Sequence, residues 1–537
     1  MAAVEPDHAS ARLDAIIVGA GIAGMYQLYR LRQLGLSVRV FETGTSVGGT
    51  WYWNRYPGAR VDTETMFYSY QFSEALQQEW DWPERYPAQA DLAAYARHVA
   101  DRFELWPDIQ FETRVDAARW DDAAGLWTVE TDDGTQVTAR FCIMATGCLS
   151  AVNYPEIDGL EDFAGETYHT AHWPADSVDF AGKRVAVIGT GSSGVQSIPV
   201  IAEAAAHVTV YQRTANYVMP AHNRPMAADE VAEIKVNYPA LRAKAKQSFS
   251  GNYFPVAGPS ALAVSEEERN REYEKRWAMG GLAIMATYAD FQTSEAANET
   301  ASDFIRNKIR TIVKDPDVAE LLAPKQLFLC KRLCVGTNYY ETYNRDNVTL
   351  VDISETGIDR ITPEGVCVAG HTEPVDVLVL ATGFDAVTGA LKRIDIRGVD
   401  GLALREKWAD GPRTYLGLGI AGFPNLFTIT GPGSPSVLTN MIPSIEQHVE
   451  WIADCVRHMR DAGLDRIEAE RDAETDWVTH VNDIGDETLR ATCQSWYFGS
   501  NIPGKPRVIL PYAGGFPAYT EKCDEVAAAG YRGFALR

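Results

Sequence analysis

Two strand–glycine–helix fingerprints, far apart in a chain of 537 residues, predict an α/β protein of two Rossmann-like dinucleotide-binding domains with a helical insertion. A further observation agrees. The apolar runs Phe141–Met144 and Val377–Leu380 each end in Ala-Thr-Gly, as buried parallel strands entering a turn would. At roughly 150 residues per domain the length holds about three or four domains' worth of chain.

The first fingerprint follows the strand Ile16-Ile17-Val18 as Gly19-x-Gly21-x-x-Gly24. It leads into a helical pattern, Met25, Leu28, Leu31 and Leu34, that stops at Gly35. The next strand, Val38–Phe41, ends in Glu42. Glycines let the backbone approach a pyrophosphate, the helix start offers free N–H groups, and an acid at this distance accepts hydrogen bonds from a ribose diol.

The second fingerprint is Gly189-Thr190-Gly191-Ser192-Ser193-Gly194 after Lys183–Ile188. Its following strand, Val208–Tyr211, runs into Gln212-Arg213-Thr214 with no acid. A 2′-phosphate is then not repelled, and Arg213 can pair with it, so NADP is preferred over NAD; the plainer alternative is a solvated loop arginine. An acid-type site followed by a phosphate-type site implies FAD plus NADPH.

The strand Asn425–Gly431 and the amphipathic helix Ile442–Gly463 read as a return to the first domain. The expected division is a discontinuous FAD-binding domain (1–150 and 386–537), an NADPH-binding domain (151–220 and 325–385) and a helical insertion at 221–324. Within the insertion, Ser265 with Glu268 forms a capping box ahead of the charge-dense Glu266–Trp277, expected as an exposed helix.

Composition narrows the class. With 49 Lys+Arg against 73 Asp+Glu, the net charge of −24 argues against nucleic-acid binding. No apolar run reaches the ~18–20 residues of a membrane span. Met1–Asp14 lack a basic and an apolar segment, so they read as a lead-in rather than a signal peptide. The eight cysteines show no CxxC and are expected as reduced thiols in cytosol. None precedes Cys142, which removes the dithiol chemistry of disulfide reductases with a similar layout. His169 and His172 have no carboxylate partner nearby, so no metal is expected.

Gly48-Gly49-x-Trp51-x-x-x-x-Tyr56-Pro57-Gly58-x-x-x-Asp62 and Phe163-x-Gly165-x-x-x-His169-x-x-x-Trp173-Pro174 match two motifs at every fixed position. They fall in the expected order between the two glycine fingerprints, and together they resemble the type I Baeyer–Villiger monooxygenases from about Leu13 to the C-terminus. Trp173-Pro174 separates this pattern from the sister nitrogen- and sulfur-oxygenating flavin monooxygenases.

The resemblance implies an NADPH-reduced flavin whose peroxide must stay deprotonated to attack a ketone, giving an ester or lactone, with sulfides as further substrates. Such a site needs a permanent cation. By this resemblance Arg332 is that cation, Asp62 orients it, and Lys331 helps Arg213 hold the 2′-phosphate. Taken alone, Lys331-Arg332 reads as a surface pair, and Asp62 with Glu64 as a solvated strand edge. The resemblance extends the cofactor-binding set to Thr50, Trp51, Trp53, Arg60, Tyr68, Val115, Met441 and Thr214. His169 would couple domain motion. Trp496, in Ser495-Trp496-Tyr-Phe-Gly-Ser-Asn-Ile-Pro-Gly, would close over the nicotinamide. Ser436 and Leu438, in Gly431–Met441, would line the ketone pocket, in a loop resembling the longer one of the phenylacetone and steroid branch.

Two other classes stay open on sequence: a nitrogen- or sulfur-oxygenating flavin monooxygenase, and a non-catalytic nucleotide-binding module. The expected partners are a small ketone and dioxygen, with no nucleic acid, membrane or obligate protein partner, in the cytoplasm.

Overall fold

A computed structural model describes residues 12–537. Most of the expected lead-in, up to Ala11, lies outside the described residues, and its last two residues, Leu13 and Asp14, open the first strand instead.

Two sheets carry the fold. In the first, Leu13–Val18 lies between Val38–Phe41 and Gln136–Met144 with parallel pairing, so Ile17 faces both Val40 and Ile143. The antiparallel strands Leu126–Thr131 and Val115–Asp121 extend this sheet. Two later strands return to it: Asp395–Arg397 pairs with Val115–Asp121, and Leu426–Thr428 pairs with Gln136–Met144. The second sheet is wholly parallel, in the order Val348–Asp352, His207–Gln212, Arg184–Ile188, Val377–Leu380, Glu166–His169. Its central strands are buried on both faces, which is why they read as unbroken apolar runs rather than as alternation.

Each glycine fingerprint sits where theory places it, at the carboxyl end of a central strand and the start of a helix: Ile22–Gln33 in the first case, Ser192–Ala204 in the second. The expected helix after the third Thr-Gly turn spans Met441–Ala462 and stops at Gly463, whose φ of 68° is the left-handed cap glycine accepts readily.

Residues 221–324 hold the helices Ala228–Lys246, Glu266–Met279, Glu295–Ile312 and Pro316–Leu322 and no strand. Ser265 accepts a hydrogen bond from the Glu268 amide, as the capping pattern requires. The helix it starts is not wholly exposed, however. Tyr273 packs against Phe291 and Phe304, and the buried Arg276 is neutralised by Glu272 at 2.8 Å. Charge density hid a buried stripe one residue in three or four wide.

The cysteine expectation is overturned at one pair. Cys330 and Cys493, 163 residues apart, form a disulfide, with Cα atoms 5.6 Å apart. Folding brings together two segments whose proximity no spacing pattern reveals. The other six thiols are free and buried. Among the described residues no group of three metal-ligating side chains converges, and no helix is long and apolar enough to cross a membrane.

Candidate active site

The two glycine loops open onto one continuous cavity of about 2110 Å³. A single small-molecule site takes roughly 300–1,000 Å³, so this space suits more than one ligand.

Both loops are built alike. Gly19 has φ 104° and Gly189 φ 109°, and a Cβ on either would lie 2.6 Å and 2.5 Å from the carbonyl oxygens of Ala145 and Ala381 respectively. These alanines open the two Ala-Thr-Gly turns, so each turn presses a glycine loop against its sheet. Gly24 and Gly194 face inward, where a Cβ would strike the Gly19 and Gly189 carbonyls; they pack the loops and do not line the cavity. Neither helix start has a side-chain cap or an acid in its first turn. Those free N–H groups, with a Cβ-free approach at Gly191, fit two pyrophosphates.

Glu42 lines the cavity, and it also accepts hydrogen bonds from the amides of Ala20 (2.7 Å) and Gly44 (2.8 Å). Burial raises its carboxyl above the usual range, and the amides work against that shift. The acid therefore fixes the glycine loop as well as facing the cavity. At the other loop, Thr190 Oγ1 donates to the Thr214 carbonyl at 3.0 Å, and Asn216 donates to the Thr190 carbonyl at 2.7 Å. Beside them Lys331 and Arg213 line the cavity, and neither has a carboxylate within salt-bridge distance among the described residues. Burial lowers the Lys331 ammonium below its ordinary value, and the adjacent Arg213 charge lowers it further. Two close cations without an acid are an anion site.

Asp62 and Arg332 meet at the centre. Arg332 Nε donates to Asp62 Oδ2 at 2.8 Å and Nη2 to Oδ1 at 2.9 Å, a two-point fork; Nη1 donates to the Val437 carbonyl at 2.9 Å. Burial opposes the arginine's charge, but the carboxylate outweighs it and holds the guanidinium protonated far above the ordinary arginine value. Asp62 sits in a bend rather than on the extended segment expected, and Glu64 pairs instead with Arg85 at 2.5 Å, so the two acids do serve different partners.

Trp51 Nε1 donates to Tyr68 Oη at 3.1 Å, and burial pushes that phenol up to about 12. Thr50, Trp51, Trp53, Tyr68, Val115, Met441 and Leu438 all line the cavity. Arg60 does too, but its guanidinium is taken by Glu84 at 2.7 Å and the Tyr86 carbonyl at 2.6 Å. Ser436 departs from expectation. Its φ of 38° turns the side chain into the core, fully buried, with Oγ 3.0 Å from Cys148 Sγ, so it lines no part of the cavity. Trp496 lies tilted against Tyr497, with ring centroids 4.3 Å apart, and lines the cavity. His169 is buried between the Ala171 amide (3.0 Å) and Thr382 Oγ1 (3.1 Å); it touches the second Ala-Thr-Gly turn, not the cavity. Sequence reasoning missed Gln196, which accepts from Tyr56 Oη at 2.8 Å and donates to the Arg60 carbonyl at 3.0 Å. A lone glutamine in a helix carries no periodic signal.

Comparison with known proteins agrees with this geometry. Residues 16–247 match the pyridine nucleotide-disulphide oxidoreductase family model. A Baeyer-Villiger monooxygenase of Pseudooceanicola batsensis is 43% identical over 97% of this chain and 96% of its own. A phenazine N-monooxygenase of Lysobacter antibioticus is 43% identical over 99% of this chain and 98% of its own. The structure of an oxidized steroid monooxygenase bound to NADP superposes with a TM-score of 0.94 at 50% identity, covering 98% of this chain and 99% of the other. The likeness spans both glycine loops, both family motifs and the Arg332–Asp62 pair in a single alignment of nearly full length, and the chain belongs to the type I Baeyer–Villiger monooxygenase family.

Proposed function

We propose that this enzyme oxygenates ketones, inserting one oxygen atom of dioxygen beside the carbonyl to give an ester or lactone. FAD, reduced by NADPH, supplies the activation of dioxygen; the protein supplies position, charge and exclusion of water. The observation that carries the reading is the Arg332–Asp62 fork facing the cavity between the two glycine loops.

Arg332 cannot lose its proton, and Asp62 fixes its plane, so a preorganised positive charge meets the negative charge that develops on a ketone oxygen. Gly19, Gly21 and the start of Ile22–Gln33 would cradle FAD, with Glu42 on its ribose. Gly189, Thr190, Gly191, Ser192 and Ser193 would hold the NADPH pyrophosphate, with Arg213, Thr214 and Lys331 on the 2′-phosphate. Trp496 would close the site, and Leu438 would border the ketone. On this reading 1–150 with 386–537 is the FAD domain, 151–220 with 325–385 the NADPH domain, and 221–324 the insertion; the return of Asp395–Arg397 and Leu426–Thr428 to the first sheet supports it. We place the enzyme in the cytoplasm acting on a dissolved ketone, with six of its eight cysteines free thiols and the Cys330–Cys493 bond the exception.

A second reading, nitrogen or sulfur oxygenation, is supported by the phenazine-oxidising relative. Purified yellow enzyme with NADPH should take up oxygen in proportion to added ketone and form ester. Supplying a ketone, a thioether and a phenazine side by side separates the readings. Hydrogen peroxide as the sole product across a broad ketone panel would overturn the first.

A further inference from the structure

A buried arginine on the cavity wall has no counter-ion. Arg490 is 6% exposed and lines the cavity. Its Nε donates to the Leu329 carbonyl at 3.3 Å and its Nη1 to Gln292 Oε1, both neutral acceptors, while Nη2 has no protein partner. Among the described residues no carboxylate lies within salt-bridge distance of it; Glu487, one turn earlier on the cavity rim, does not reach it. Arg332 and Lys505 are neutralised, by Asp62 and by Asp385 at 2.5 Å, whereas the unpaired Lys331 and Arg213 belong to the second glycine loop. Burying a guanidinium without an anion is costly, and a fold that does so at a ligand cavity leaves the anion to the ligand.

The position says which ligand. Arg490 lies 6.0 Å from the ring of Tyr497, the tyrosine that also feels the charge of Arg332. The two arginines thus flank one aromatic side chain. Leu329, Phe291 and Ile484 contribute apolar wall to the same cavity. The coenzyme's phosphates already have their own cations and helix start, at Arg213, Lys331 and Ser192. What remains is a molecule with an apolar body, a carbonyl at one end and a negative charge at the other.

We propose that Arg490 docks a carboxylate of the substrate, so that this enzyme prefers keto acids to neutral ketones. The inference rests on the ketone-oxygenating reading above. A charge-assisted hydrogen bond from the free Nη2 would both anchor the acid and set the distance from its carboxylate to the carbonyl at Arg332.

The test compares a series of methyl-ketone acids of increasing chain length with their methyl esters. In the wild-type holoenzyme, kcat/KM for the best acid should exceed that for its ester. In Arg490→Gln the acid-to-ester ratio should fall by roughly 10- to 100-fold, the range of one buried charge-assisted contact, with partial recovery in Arg490→Lys. Any general loss of folding or turnover divides out of that ratio. Should neither variant fold, the wild-type enzyme still decides: hexanoate should compete with a neutral ketone and hexanamide should not. A wild-type ratio at or below one, a ratio unmoved by R490Q, or equal inhibition by acid and amide would each overturn the proposal. So would R490Q weakening NADP binding with the ratio unchanged, which would assign the arginine to the coenzyme. Absence of ester from every ketone, neutral or acidic, would instead remove the parent reading.

Discussion

Asp62 accepts two hydrogen bonds from Arg332 across 270 positions of chain, joining the motif after the first glycine loop to the segment that follows the helical insertion. The pair makes a cation that cannot be discharged and cannot rotate away. Replacing Arg332 by Ala should lower ester formation by about 10²–10³-fold, the usual loss on removing one charge-stabilising donor, while NADPH-driven flavin bleaching continues. Asp62→Ala should lower ester formation less and cost about 3 kcal/mol of stability, the low end for a broken pair because about a third of the Arg332 side chain faces the cavity. Stopped-flow absorbance and product chromatography separate the two steps.

Lys331 and Arg213 should set coenzyme choice. Each removed singly to Ala should raise KM for NADPH about 10-fold and leave KM for NADH nearly level, because only the 2′-phosphate needs them. The selectivity ratio should also fall as salt rises in the wild type. A pair of steady-state titrations with the two coenzymes checks this.

Acid should destabilise the fold through two histidines. Burial holds His169 down to about 4 and His448 to about 3, against an ordinary 6.5. Both are neutral when folded, so the stability they lend is complete above about pH 6.5 and is lost as pH falls toward 4 and 3. For His169 that amounts to about 3 kcal/mol. Glu446 runs the other way: burial lifts it from 4.5 to about 7, so it favours the fold at low pH and costs stability as pH rises through that interval. Glu446→Gln should therefore deepen the loss of apparent Tm between pH 7 and pH 5. Thermal melts of both proteins at the two pH values test the sign.

The Cys330–Cys493 bond ties the segment carrying Lys331 and Arg332 to the loop carrying Trp496. Cys493→Ser should lower stability by about 2–4 kcal/mol and weaken NADP binding, since the loop loses its tether. Alkylation after denaturation, with and without reductant, followed by intact mass, should show two thiols appearing only on reduction.

Much of this molecule was legible before any coordinates. Glycine spacing, apolar strands and the switch from Glu42 to Arg213 act locally: steric freedom at φ near 100° and free N–H groups at a helix start depend on a few adjacent residues. The family motifs placed Asp62, Arg332 and Trp496 in one site. What only the tertiary structure decided is every contact made across the chain. The inward turn of Ser436, the buried stripe of Glu266–Met279, Gln196 beneath Arg60, the disulfide and the unpaired Arg490 all depend on which distant segments pack together. A sequence records a residue's chemistry and its neighbours along the chain; burial and the missing counter-ion are properties of neighbours in space, and packing sets those.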